Sequence, residues 1–245
     1  MKLLLDIGNS RLKWASLDAH RIGPMQTLIH NHDAEMIAKA MQGYGRETQI
    51  SIATVLSDTF KSSLSDSIQC QGFPSPHFIE VAQDRHGVHV AYSTPARLGV
   101  DRWLAMIGSR QLGPCDTIVV DCGTAATFDV LTRDGQHLGG LIIPGLSTMI
   151  RSLFERTARI PLTSSSNDFS LLATDTESAV RSGCVRALIA AIDGICDDVE
   201  STLGRPIARL LCGGDSELLM TKLRGIYRWQ PDLVLQGMAV IENAL

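Results

Sequence analysis

Apolar and polar positions follow two periods along this chain, and the changes of period mark its elements. The first run, Leu3–Leu5, is continuous and apolar, and it leads into Asp6-Ile7-Gly8-Asn9-Ser10. Beyond Ser10, Leu12, Trp14 and Ser16 alternate with polar residues as far as a turn at Asp18–His20. That is the period of a strand and not of a helix, so the glycine turn joins two antiparallel strands. A dinucleotide fold needs GxGxxG opening a helix, and a P-loop needs GxxxxGK followed by Ser or Thr. Neither is present.

The period then lengthens. Asp33 caps a predicted helix carrying Met36, Ile37, Ala40 and Met41, which ends at Gly43–Gly45. Ile50–Val55 reads as a buried strand, Asp58–Ile68 as a helix with Phe60, Leu64 and Ile68 on one face, and Phe78–Val81 as a short strand. Gln83–Leu98 has mixed polarity and reads as a loop-rich crossing, after which Gly99-Val100-Asp101-Arg102 opens a helix with Trp103, Leu104, Met106 and Ile107.

Gly113-Pro114 breaks the pattern, and the pattern restarts. A strand at Thr117–Asp121, a turn at Gly123-Thr124, a strand at Thr127–Leu131, a turn at Arg133–Gly135 and a third strand ending in Gly139-Gly140-Leu141-Ile142-Ile143-Pro144-Gly145 follow in order. Helices at Leu146–Thr157, Thr176–Val199, Ser216–Leu223 and Leu233–Leu245, a Ser-rich loop at Pro161–Phe169 and a strand at Ala208–Cys212 complete the chain. The segment Ile118-Val119-Val120-Asp121-Cys122-Gly123-Thr124-Ala125 repeats the opening order of apolar strand, Asp, Gly and hydroxyl. Two copies imply two related α/β halves, residues 1–113 and 114–245, facing one ligand.

Composition narrows the class. With 245 residues, 44% of them hydrophobic and 20% charged, the chain can bury a proper core in one or two domains. The net charge of -4 comes without a basic block, which argues against a nucleic-acid partner. No apolar run approaches the roughly 20 residues that span a bilayer, and Asp6 interrupts the N-terminal run before signal-peptide length. A soluble cytoplasmic protein with no membrane partner is expected. Six cysteines without any CxxC pair read as free thiols, and His86 and His89 lack further ligands at metal spacing.

Phosphoryl transfer needs donors around the phosphates and a carboxylate near a cation or water. The amides of the first turn, the Ser10 hydroxyl and Lys13 match that need. A single such turn is an ordinary hairpin connection; its echo at Asp121 gives it meaning. Two strand-end carboxylates in one cleft need a bound cation to offset their repulsion. At Asp101 a carboxylate at a helix start can take a hydroxyl proton, while Arg102 orients an acceptor. The blander alternative there is a helix-capping Asp beside its Arg. Glycine turns at Gly139-Gly140, Pro144-Gly145 and Gly213-Gly214-Asp215 would let backbone approach a nucleotide.

Taken together, Asp6-Ile7-Gly8-Asn9-Ser10, Gly99-Val100-Asp101-Arg102, Asp121-Cys122-Gly123-Thr124-Ala125 and the GGLIIPG segment at 139–145 resemble the motifs of the type III pantothenate kinases, in order and spacing across essentially the whole chain. The resemblance implies a duplicated actin-like ATPase (ribonuclease H-like) fold, with two mixed β-sheets flanked by helices and a nucleotide cleft between them. It implies ATP-dependent phosphorylation of the pantothenate hydroxyl to 4'-phosphopantothenate, the first step toward coenzyme A. Asp101 would be the proton acceptor, and Tyr92, Gly99, Val100, Asp101, Arg102 and Thr176 would contact pantothenate, Thr176 from a neighbouring subunit. Asp6, Ile7, Gly8, Asn9, Ser10, Arg11, Leu12, Lys13 and Thr124 would hold ATP. Asp121 would hold a monovalent cation, K+ or NH4+, and Mg2+ would accompany the nucleotide.

A homodimer is implied as well, in keeping with the broadly apolar helix from Thr176. Two positions depart from the family pattern: Asp175 stands where Asn is usual, and Ser10 where Thr is usual. The alternatives are a small-polyol or sugar kinase of the same fold, and a non-catalytic nucleotide-binding accessory factor.

Overall fold

The computed structural model describes residues 1–156 and 169–244. Contacts divide the chain into two compact units, Met1–Pro114 with Leu131–Gly139 and Asp232–Leu245, and Cys115–Val130 with Gly140–Pro231. The C-terminal segment therefore packs with the first unit, although the linear pattern groups it with the second half.

In the first unit β1 (Lys2–Ile7) and β2 (Arg11–Asp18) run antiparallel, with Asp6 opposite Lys13 and Ile7 opposite Leu12. The short strands β3 (Arg21–Ile22) and β4 (Gln26–Ile29) both pair with β2. After α1 (Ala34–Lys39), β5 (Gln49–Thr54) returns parallel to β1, and α2 (Asp58–Cys70) leads to β6 (His77–Phe78), parallel to β5. The sheet order is β3-β2-β1-β5-β6, with β4 joined to β2. Leu3, Leu4 and Leu5 are all fully buried, which explains the unbroken apolar run: a central strand covered on both faces has no polar side. Asp33 accepts the Met36 amide and Ser57 the Phe60 amide, so both helices begin on capped amides. The last strand is shorter than the predicted Phe78–Val81 and starts one residue earlier; its ladder with β5 ends where the Ile79 amide meets the Ile52 carbonyl at 2.8 Å.

The crossing that follows holds a small hairpin, β7 (Asp84–Arg85) and β8 (Val88–His89), turned at His86 and Gly87, and a 3-10 turn at Pro95–Arg97. It delivers α3 (Val100–Arg110).

The second sheet is built from β9 (Thr117–Cys122), β10 (Ala125–Leu131) and β11 (His137–Pro144), then α4 (Leu146–Arg156), α5 (Thr176–Leu203), β12 (Ala208–Cys212), α6 (Ser216–Met220) and β13 (Tyr227–Trp229). Its order is β11-β10-β9-β12-β13, with β12 parallel to both neighbours. Each sheet thus runs third, second, first, fourth and fifth strand, apart from the added β4. The duplication seen in one motif extends to the whole sheet order. Ile118, Val120, Phe128, Leu188, Ile192 and Leu211 form the centre of the second core, and Leu5, Ile7, Leu12, Ile37, Ile52 and Leu64 that of the first. Residues 157–168 of the predicted Ser-rich loop and helix end, and Leu245, lie outside the described residues.

The last helix, α7 (Leu233–Asn243), packs on α3 at backbone distance. A Cβ on Gly108 would strike the Leu233 carbonyl, and one on Gly237 the Leu104 carbonyl, so only glycine fits at the crossing. Buried Glu242 accepts from Lys2 Nζ at 2.8 Å, which ties α7 to β1. Among the described residues no helix is long and apolar enough to cross a membrane.

Candidate active site

The first turn, between β1 and β2, is closed by the Gly8 amide on the Arg11 carbonyl at 3.1 Å. Two side chains hold its carbonyls from behind. Thr54 Oγ1 donates to the Ile7 carbonyl at 2.9 Å and accepts the Leu56 amide at 3.2 Å, and His30 Nε2 lies 3.0 Å from the Gly8 carbonyl. In a trans peptide the N–H points opposite to the C=O, so a Gly8 carbonyl turned toward His30 directs the Asn9 amide away from it. Asn9, Ser10 and Arg11 are exposed, Asp6 and Lys13 are half-buried, and Ile7 and Leu12 bury their side chains in the core. Ile7 and Leu12 therefore offer a ligand their backbone alone.

The second predicted cluster forms at the start of α3. Gly99 is the N-cap, and Asp101 Oδ1 accepts the Arg102 amide at 2.8 Å, in a first turn where the helix dipole favours a carboxylate. Arg102 is 6% exposed, and a guanidinium so buried needs partners. Its Nη1 donates to the Tyr92 hydroxyl at 3.1 Å, and its Cζ sits 5.9 Å from the Tyr92 ring centroid. The ring of Tyr92 stacks in turn on buried His137, with centroids 6.0 Å apart and planes 13° off parallel. The Ala91 amide donates to His137 Nδ1 at 3.4 Å. The structure thus brings Tyr92, Gly99, Val100, Asp101 and Arg102 together, and adds His137, which no spacing in the sequence points to.

In the second unit, Asp121 is the penultimate residue of β9, and the Gly123 amide closes the turn on the Ala125 carbonyl at 3.0 Å. This turn is held mainly by backbone, with one side chain, Thr148, added. The Thr124 carbonyl accepts the Gly145 amide at 3.0 Å and Thr148 Oγ1 at 2.6 Å, while the Asp215 amide donates to the Cys122 carbonyl at 2.9 Å. Gly145 and Gly213 lie so close that a Cβ on either would penetrate the turn, at Gly123 O and at Asp121 Oδ1 respectively, and Gly213 has φ +92°. Of the glycine turns flagged by sequence, Pro144-Gly145 and Gly213-Gly214-Asp215 therefore touch the second turn, whereas Gly139 has no neighbour at that range. Burial, followed by the Asp121 and Asp215 carboxylates, pushes the Cys122 thiol far up, so it stays neutral.

Thr176 is the exposed first residue of α5. Asp175 before it is the helix cap, accepting the Ser178 amide at 2.9 Å, and that bond holds its carboxyl below the usual range. The unusual Asp thus does the work of a cap, which Asn performs equally well. His89 pairs with Asp84 at 2.8 Å, and His86 sets its ring edge-on to Trp103. Among the described residues, no group of three or more His, Cys, Asp and Glu stands ready for a metal ion.

The sequence model of the family described as type III pantothenate kinase matches residues 2–198. The type III pantothenate kinase of Nitrosococcus oceani is 36% identical over 249 residues, covering 98% of this chain and 92% of its own length. That of Xanthomonas oryzae pv. oryzae is 35% identical over 241 residues, covering 98% and 97%. Among solved structures, a Sinorhizobium meliloti protein named as a candidate 2-dehydro-3-deoxygalactonokinase matches with a TM-score of 0.60 and 12% identity, over 100% of this chain and 97% of its own. Such a likeness speaks for the fold alone, which is that of the actin-like ATPases and sugar kinases. The chain belongs to the type III pantothenate kinase family.

Proposed function

We infer that this chain transfers the γ-phosphate of ATP to the hydroxyl of pantothenate, giving 4'-phosphopantothenate, the first step of coenzyme A biosynthesis. The carrying observation is a family match along the chain in which the Gly99–Arg102 cluster is intact and joined to Tyr92. Phosphoryl transfer through a loose transition state asks the protein chiefly for positioning and charge neutralisation. In this reading the backbone from Asp6 to Lys13, the Ser10 hydroxyl, the Lys13 ammonium and Thr124 take the ATP phosphates. Arg102, Tyr92, Gly99 and Val100 orient pantothenate, and Thr176 reaches it from a second copy of the chain. Asp101 accepts the hydroxyl proton as the bond to phosphorus forms, a contribution typically worth about 10² to 10⁴ in rate.

The residues fit the implied ions. One carboxylate, Asp121, among backbone carbonyls suits a monovalent cation such as K+ or NH4+, which would lower the repulsion between the carboxylate and the phosphates. Mg2+ keeps most of its waters and usually travels with the nucleotide, so it needs no protein cage. On α5, exposed Gly183, Ala187 and Ala190 leave a flat face on which a second copy could approach closely, in support of a homodimer. A cytoplasmic location follows the same reading, since both substrates are soluble metabolites.

The test is a product assay with ATP and either pantothenate, pantetheine or common sugars, run in K+ and then in Na+. Phosphopantothenate formed in K+ and depressed in Na+ is expected. Phosphorylation of a sugar instead of pantothenate overturns the substrate, and equal rates in both salts overturn the monovalent site.

A further inference from the structure

A buried histidine behind the first turn has a geometry that only one protonation state can satisfy. His30 is fully buried. The His32 amide donates to His30 Nδ1 at 3.0 Å, and an N–H can only donate, so Nδ1 carries no proton. Its one proton must then sit on Nε2, which lies 3.0 Å from the Gly8 carbonyl, an obligate acceptor. The neutral Nε2–H tautomer satisfies both contacts; the imidazolium breaks the one to His32, and the other neutral tautomer breaks both. Burial, the largest influence, holds the ring below its ordinary pKa and favours the neutral form.

The backbone around it is bent for this purpose. Residues 30–33 form a tight reverse turn, closed by the Asp33 amide on the His30 carbonyl at 2.6 Å. Its two central residues, Asn31 at φ +43° and His32 at φ +61°, both adopt the left-handed conformation that residues with a Cβ seldom take. That bend aims the His32 amide back at the ring. The rings of His32 and Phe60 flank the imidazole, each with centroids about 6 Å away. The His30 amide also faces the Ser10 carbonyl at 3.4 Å, so this one residue grips the glycine turn at both ends.

We propose that His30 is a positioning residue for nucleotide binding: its fixed Nε2–H holds the Gly8 carbonyl and thereby aims the Asn9 amide at the ATP phosphates. The proposal rests on the reading of Ile7–Ser10 as the phosphate turn. Without the imidazole donor the Gly8-Asn9 peptide can rotate, and the amide loses its aim while the rest of the turn stays in place.

Two substitutions separate this role from space filling. His30→Gln places a terminal amide donor near the Nε2 position, whereas His30→Asn places its carbonyl near Nδ1, keeping the bond to His32 and losing the one to Gly8. With steady-state kinetics on the full-length enzyme, His30→Asn is expected to raise the ATP KM about five-fold, the weight of one ordinary hydrogen bond, and His30→Gln to stay within about two-fold of wild type. The pantothenate KM should stay unchanged in both. Equal ATP KM values in the two variants, or a loss confined to His30→Gln, overturn the proposal. If His30→Asn does not fold, a raised ATP KM in His30→Gln alone overturns it. Lys13→Ala tests the underlying reading. A raised ATP KM there with indifferent His30 variants rejects His30 only, and an unchanged one rejects the phosphate turn and His30 with it.

Discussion

The two glycine turns occupy the same place in sheets of the same strand order, yet they are held by different means. Side chains prop the first: Thr54 on the Ile7 carbonyl and His30 on the Gly8 carbonyl. Backbone walls in the second, where Gly145 and Gly213 approach closer than any Cβ would allow and the Thr148 hydroxyl only supplements them at the Thr124 carbonyl. A turn propped by side chains fails when a polar group is removed. A turn walled in by backbone fails when an atom is added.

The largest expected effect is therefore in the second turn. Gly213→Val adds atoms against Asp121 and the Cys122 carbonyl at a residue with φ +92°, and a loss of about 3 kcal/mol or more is predicted from clash and backbone strain together. Urea unfolding measures it, and a near-normal midpoint would dissolve the contrast between the turns.

Away from the turn the second unit does rely on a polar clamp, which sharpens the comparison. Buried Asp193 accepts the Arg224 and Gly225 amides and the Tyr227 hydroxyl, anchoring the entry to β13. Burial pushes its carboxyl up, but these bonds outweigh burial and hold it below the usual range. A depressed carboxyl stabilises the fold above its unfolded pKa of about 4, and the contribution is lost as pH falls through the lower folded value. Asp193→Asn should cost about 1.5–3 kcal/mol at pH 7 and lose less on further acidification than the wild type does, as read by unfolding at pH 7 and below pH 4.

In the first turn the order of effects reverses. Thr54→Val leaves the Ile7 carbonyl and the Leu56 amide without the hydroxyl that joins them, a loss of about 1–2 kcal/mol. Gly8→Ala meets only the Arg11 carbonyl at 3.6 Å, an ordinary contact, and should change thermal stability by no more than about 0.5 kcal/mol. A Gly8→Ala loss larger than that of Thr54→Val would mean that the first turn is walled in as well.

Much of this was legible in the chain. The alternation at Leu12 and Trp14 identified β2 as a strand, and the caps and apolar faces located α1 and α2, because those signals are local. Short edge strands were not legible: β13 spans Tyr227–Trp229, buries only Tyr227 and follows Ile226, which is 92% exposed. Nor could periodicity assign α7 to the first unit, since that depends on Gly108 and Gly237 meeting across more than half the sequence. In the site, Gly99–Arg102 stood out as a motif and Tyr92 through family resemblance. His30 and His137 carried no signal, because a histidine that props a turn or stacks on a tyrosine is recognised by its neighbours and not by its spacing.

The account's central claim, that Asp101 takes the proton from pantothenate, is tested most directly by Asp101→Asn. The Asn side chain keeps an oxygen for the Arg102 amide, so the helix start is preserved and the base alone is removed. The account predicts a fall in kcat of about 10² to 10⁴ with both KM values near wild type. A variant that phosphorylates pantothenate at a near-normal rate would contradict it.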